Sequence, residues 1–159
     1  MLKSYDDLRR MLNDKGIAYR ADVPESAVEI PSRIREADGR IIVLWDPRAT
    51  LLHVIRPLGF TVVTARVPAF LDALARVNHS LVLPGFGFNH GDSTAYFRWV
   101  VPRHTEGGLT EEDVNRAIST VIDSVRDFHP ALQAVATGES KPEDVLAVAL
   151  ATKATAPES

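Results

Sequence analysis

The chain has 159 residues and no cysteine. That absence excludes disulfide staples, thiol nucleophiles and cysteine-based zinc sites. There is no apolar run long enough to cross a bilayer, and the opening MLKSYDDLRR lacks the apolar core of a signal peptide. The expected setting is therefore the cytoplasm, with no membrane partner. A basic stripe is missing as well. The net charge is −3, the pI is near 5.9, and Arg9, Arg10, Arg33 and Arg35 stand beside acids, so no nucleic-acid surface is expected. No H-E-x-x-H occurs, no two histidines share helical ligand spacing, and no serine sits in a G-x-S-x-G elbow.

What remains is an ordinary globular composition, 45% hydrophobic and 25% charged, in a chain long enough for one core. A single domain over residues 1–152 is expected, with 153–159 as a frayed tail. Ser4 is placed to cap a first helix, with Asp6 and Asp7 in the turn where the helix dipole favours anions. Tyr5, Leu8, Met11 and Leu12 form its apolar face, and Gly16 stops it. The stretch IAYRADVPESAVEIPSRIREA holds Pro24 and Pro31 and reads as an irregular or edge strand. Asp38-Gly39 predicts a hairpin turn into RIIVLWD, and LLHVIRP follows after Pro47. A helix is expected from Val67-Pro68, then a second hairpin over Leu83–Val101 turning at Asn89–Asp92.

Thr110, with Asp113 three residues on, caps a long helix. A capping box at Ser140-x-x-Glu143 is expected to start a last helix. Hairpins with short turns imply antiparallel pairing. The expected fold is α+β: an antiparallel sheet of about five strands with flanking helices, in the order α-β-β-β-α-β-β-α-α.

Candidate chemistry is sparse. His90 and Asp92 share a turn with His104 nearby, which falls short of a metal ligand set. Gly85-Phe86-Gly87-Phe88 interrupts a strand-like run, where glycine marks a bulge or a close backbone approach rather than a phosphate loop. Glu111, Glu112 and Asp113 complement a helix N-terminus, and Trp45 and Trp99 lie among aliphatic residues as packing groups. No catalytic residue, metal or cofactor is expected. In the long helix Val114, Ile118, Val121, Val125, Phe128 and Leu132 recur in steps of four and three. Burying each contributes on the order of 1.5–3 kcal/mol, so the seam must be covered, by the chain's own sheet, by a second copy or by a bound peptide.

LDALARVN, the hairpin with AYFRWVVP, GGLTEEDVNRAI and DFHPAL together resemble the YbjN-like group, whose fold is similar to class I chaperones of type III secretion. Asn78, Leu109, Thr110, Pro130 and Leu132 match that pattern. The first 60 residues share only the order of elements, and the Pro24 and Pro31 region and the last helix depart from the pattern. The resemblance implies a non-enzymatic chaperone or adaptor, a homodimer that holds a segment of a partner polypeptide or secreted client. The alternative is a dimeric stress or signalling regulator with no client. RIIVLWD and LLHVIRP are apolar on both faces, so Val43, Trp45, Leu52 and Val54 are the expected peptide contacts. Phe70, Leu74, Val77 and Trp99 are the expected dimer interface.

Overall fold

The computed structural model describes residues 1–48, 50–83, 85–102 and 108–154. Helix α1 (Tyr5–Asp14) begins as its sequence predicts. Ser4 Oγ accepts from Asp7 N, and the Asp7 carboxylate takes the backbone N–H of Ser4 and Lys3. Those bonds hold the Asp7 carboxyl below its usual range. Leu8, Met11 and Leu12 are buried, and Gly16 at φ 66° ends the helix.

Six strands follow the order β1-β2-β3-β4-β6-β5 in one sheet: β1 (Arg20–Asp22), β2 (Ala27–Ile34), β3 (Ala37–Asp46), β4 (Leu51–Thr61), β5 (Phe86–Asn89) and β6 (Thr94–Pro102). The α+β class and antiparallel hairpins match the expectation. The additional strand is β1, cut from the proline-bearing stretch. It pairs with Ala27–Glu29, so among the described residues the part of β2 around Pro31 has a neighbour on one side alone. That is the edge condition in which proline is tolerated.

The first hairpin turn is three residues earlier than expected. Ile34 pairs with Ala37, leaving Arg35 (φ 53°) and Glu36 in the turn, while Asp38 and Gly39 lie inside β3. Gly39 instead makes room for a side chain of the neighbouring strand. A Cβ there would collide with the guanidinium of Arg56, which is buried on β4 and donates from Nη2 to the Ala37 carbonyl at 3.3 Å.

The chain gathers into two compact units. The first comprises Met1–Arg56 and Arg98–Ile122. Here Leu2 and Leu109 exchange backbone hydrogen bonds of 2.7 and 2.9 Å, and Tyr5 Oη donates to the Ala27 carbonyl at 2.7 Å. Thr110 and Asp113 form the expected reciprocal cap of α3 (Glu111–Thr137): Thr110 N and Oγ1 donate to the Asp113 carboxylate, and Asp113 N donates to Thr110 Oγ1.

The second unit comprises Pro57–Phe97 and Asp123–Ser159. Helix α2 (Val67–Ser80) has its proline in the first turn and buries Phe70, Ala73, Leu74 and Val77. Asn78 stitches its end to β5, donating to the Phe86 carbonyl at 2.9 Å and accepting from the N–H of Gly85 and Phe86. This gives the matching asparagine a structural reason. Phe86 meets Phe97 and Phe128 edge-on, and His129 Nε2 donates to the Leu58 carbonyl at 2.8 Å.

Val114, Val121, Val125 and Leu132 of the seam are buried, and Ile118 and Phe128 are half-buried. The last helix, α4 (Val145–Ala154), does not use the Ser140 box. Lys141 is the cap of a 3₁₀ turn, Pro142–Asp144, and makes no side-chain cap bond; Pro142, with φ preset for a helical turn, opens it. The helix runs through Ala154, two residues into the stretch expected to fray.

Candidate protein-binding face

The first unit carries its chemistry on the outer side of β2, β3 and β4. Side chains alternate along a strand, so one set lines the core and the next faces away. Val28, Val43 and Val54 are aligned across the three strands and fully buried, and Trp45 lies opposite Leu52, also buried. The four expected peptide contacts (Val43, Trp45, Leu52 and Val54) are therefore core residues with exposures of 0–3%. The structure brings them together, but where no partner can reach them.

The alternate set is different. Arg20, Glu29, Ile42 and Ile55 align across β1 to β4, with Ala27, Leu44 and His53 in the next row and Asp46 opposite Leu51 beyond it. Ile42, Leu44, Leu51, His53 and Ile55 are all half-buried: none is sealed from solvent. An apolar strip on a sheet face, rimmed by charge, has the anatomy of a protein interface.

The rim is organised. Glu29, 21% exposed at its side chain, lies between Arg20 at 3.1 Å and Arg40 at 3.4 Å. Arg33 reaches Glu36 at 3.2 Å and Asp38 at 3.6 Å. Such exposed pairs contribute little to stability, on the order of 0–1 kcal/mol, but they fix charges around the strip. At its other end His53 has a pKa below the usual 6.5. Burial is the main cause, Arg98 adds repulsion, and Asp46 pulls the other way. The ring is thus biased towards its neutral, apolar form, in keeping with the strip it belongs to.

The expected dimer residues are also inward. Phe70 and Val77 are fully buried, Leu74 is 5% exposed, and only Trp99 on β6 is half-buried. Arg56 is the buried polar residue that sequence reasoning missed. It is a buried cation at 2% exposure, on the same side of β4 as Leu52 and Val54. The one signal was a glycine, Gly39, which was assigned to a turn.

His90 and Asp92 occupy the turn between β5 and β6. His90 stacks edge-on against Phe88, and Asp92 accepts from Thr94 N and Oγ1 at 3.2 and 2.6 Å. His104 lies outside the described residues. Among the described residues no group of three or more His, Asp or Glu side chains gathers as a metal site. Gly87 admits the Tyr96 ring across the hairpin, the close approach its sequence suggests. No described helix is long and apolar enough to cross a membrane.

Comparison with known proteins adds two positive findings. Residues 4–134 match the family model YbjN, described as "Putative bacterial sensory transduction regulator". The chain is also similar in fold to a solved structure titled "Crystal structure of YbjN, a putative transcription regulator from E. coli". The TM-score is 0.63 at 13% identity, covering 87% of this chain and 96% of that one. No curated protein matches the chain. The family match spans most of the sequence and includes every strand described above, so the chain belongs to the YbjN family.

Proposed function

We propose that this protein is a non-enzymatic regulator that acts by holding a segment of a partner polypeptide on the outer face of β2, β3 and β4. The observation that carries the reading is the strip of Ile42, Leu44, Leu51, His53 and Ile55, half-exposed on the central strands and bounded by the Glu29 ion pairs. An extended or helical segment laid there buries apolar surface in the middle and meets charge at the rim. The descriptions attached to the family and to its E. coli member, sensory transduction and transcription regulation, suit a protein that works through contacts. With a net charge of −3 and arginines engaged by carboxylates, the partner that fits is protein rather than nucleic acid.

A photo-reactive amino acid at Leu44, introduced in living cells, tests this. The expected result is a discrete cross-linked protein, lost when Ile42→Asp is added, with none from the same group at Asp14 on α1. Equal cross-linking from positions 44 and 14, or none from 44, sinks the proposal.

A further inference from the structure

Both edges of the sheet resist the addition of a strand. Trp45 N donates to the Ser26 carbonyl at 2.9 Å, and in that register positions 28, 30, 32 and 34 of β2 bond to β3. The backbone groups of Glu29, Pro31 and Arg33 therefore point away from β3. Glu29 is matched with Arg20 of β1, and Pro31 has no N–H, which leaves Arg33 the one outward donor on the rest of β2. At the other edge, the Asn78 side chain takes both the N–H and the C=O of Phe86, so only Phe88 of the four-residue β5 can bond outward. Among the described residues, neither edge offers the ladder that an extended peptide needs.

A segment held by the strip of Ile42, Leu44, Leu51, His53 and Ile55 must then lie on the side chains. An extended segment would bring its N–H and C=O groups down among apolar side chains with no ladder to pair them, at a cost for each one shielded from water. A helix closes those bonds within itself. Its size also suits the strip. From Leu51 to Ile55 the strand rises about 14 Å, the length of about nine helical residues, and a helix about 10 Å wide covers β3 and β4 side by side.

Charge around the strip says which helix fits. The carboxylates are drawn in: Glu29, 21% exposed, is shared by Arg20 and Arg40, and the half-buried Asp46 accepts from Arg48 N at 2.8 Å. The guanidiniums face outward, with the side chains of Arg20 and Arg40 76% and 56% exposed. On the far side, Arg98 of β6 is exposed and close enough to His53 to disfavour its protonation. Three arginines against two engaged carboxylates leave this border cationic, on a chain whose net charge is −3. We infer, resting on the reading that this face holds a partner segment, that the occupant is an amphipathic α-helix whose apolar stripe is flanked by Asp and Glu. Apolar anchors at steps of three and four cover the strip, and the flanking carboxylates meet Arg20, Arg40 and Arg98.

A displayed library of random peptides, selected on the full chain and counter-selected on Ile42→Asp, tests this without choosing the ligand in advance. The expected winners carry apolar residues at steps of three and four with carboxylates beside them. A synthetic winner, followed by fluorescence anisotropy, should lose more than about tenfold in affinity when proline replaces a central residue, because the helix is broken. Arg98→Glu should weaken the same peptide about threefold, the size of an exposed ion pair, and its circular dichroism should be unchanged because Arg98 is exposed. Winners whose apolar residues alternate at every second position overturn the inference, as do winners with basic flanks. A selection that yields no peptide discriminating against Ile42→Asp overturns it equally. If position 44 still cross-links a protein in cells, only the acidic helix falls; if that cross-link is missing too, the docking face falls with it.

Discussion

The two faces of β3 and β4 are made from nearly the same residue types and are buried to different degrees. Ile41, Val43, Trp45, Leu52 and Val54 are sealed; Ile42, Leu44, Leu51, His53 and Ile55 are not. Composition barely separates them, since His53 is the one polar side chain among the ten. What separates them is the cover over the first set. A strand that is apolar on both faces signals that two things pack on it, and only structure says which side belongs to the fold. Choosing the odd-numbered positions of β3 as the partner surface selected the core.

The sharpest way to break this contrast is a paired substitution. Val43→Asp places a carboxylate in the core and is expected to cost about 3 kcal/mol or more, enough to unfold much of the protein. Ile42→Asp, one residue away, is expected to cost about 1 kcal/mol or less while abolishing partner capture. Urea denaturation of the two variants decides it; similar costs would mean that the faces are not distinct.

A smaller effect is expected at Gly39, where a side chain must displace the Arg56 guanidinium. Gly39→Val should cost about 1–3 kcal/mol, as overpacking does. Adding Arg56→Met should recover part of that, because removing a buried charge offsets its desolvation. If the double variant is no more stable than Gly39→Val alone, the contact with Arg56 is not the reason for the glycine.

The least effect is a pH dependence at His53. Above pH 6.5 the ring is neutral in the folded and unfolded chains alike. As the pH falls through 6.5 the unfolded chain takes up its proton first, because the folded-state pKa is lower. Stability should decline over that interval until the folded pKa is passed. His53→Gln should remove this part of the decline, measured as the difference between urea midpoints at pH 7.5 and 5.5. An unchanged difference would show that His53 is not desolvated in solution.

Much of the fold was legible because local signals decided it. The Ser4–Asp7 and Thr110–Asp113 boxes are short-range chemistry, and the proline of α2 fixes its first turn. The antiparallel hairpins and the α+β class followed from turn residues between apolar runs. What stayed hidden depended on distant partners. Gly39 looked like a turn glycine because Arg56, which needs the space, is far away in sequence. The three-residue β1 was too short to stand out. Ser140-x-x-Glu143 fits the capping pattern, but Pro142, with its preset φ, made Lys141 the cap. The site was less legible than the fold: Val43, Trp45, Leu52 and Val54 gave no sign in the sequence that they are the buried set of β3 and β4.

The shortness of β1 also bears on solubility. Past Glu29, β2 has no second neighbour among the described residues, and an unpaired strand is a template on which another chain can grow. Pro31 withholds a backbone donor there, and Arg33, drawn towards Glu36 and Asp38, sets charge along the same stretch. A proline and a charged side chain are devices by which sheet edges are blunted against pairing with another chain.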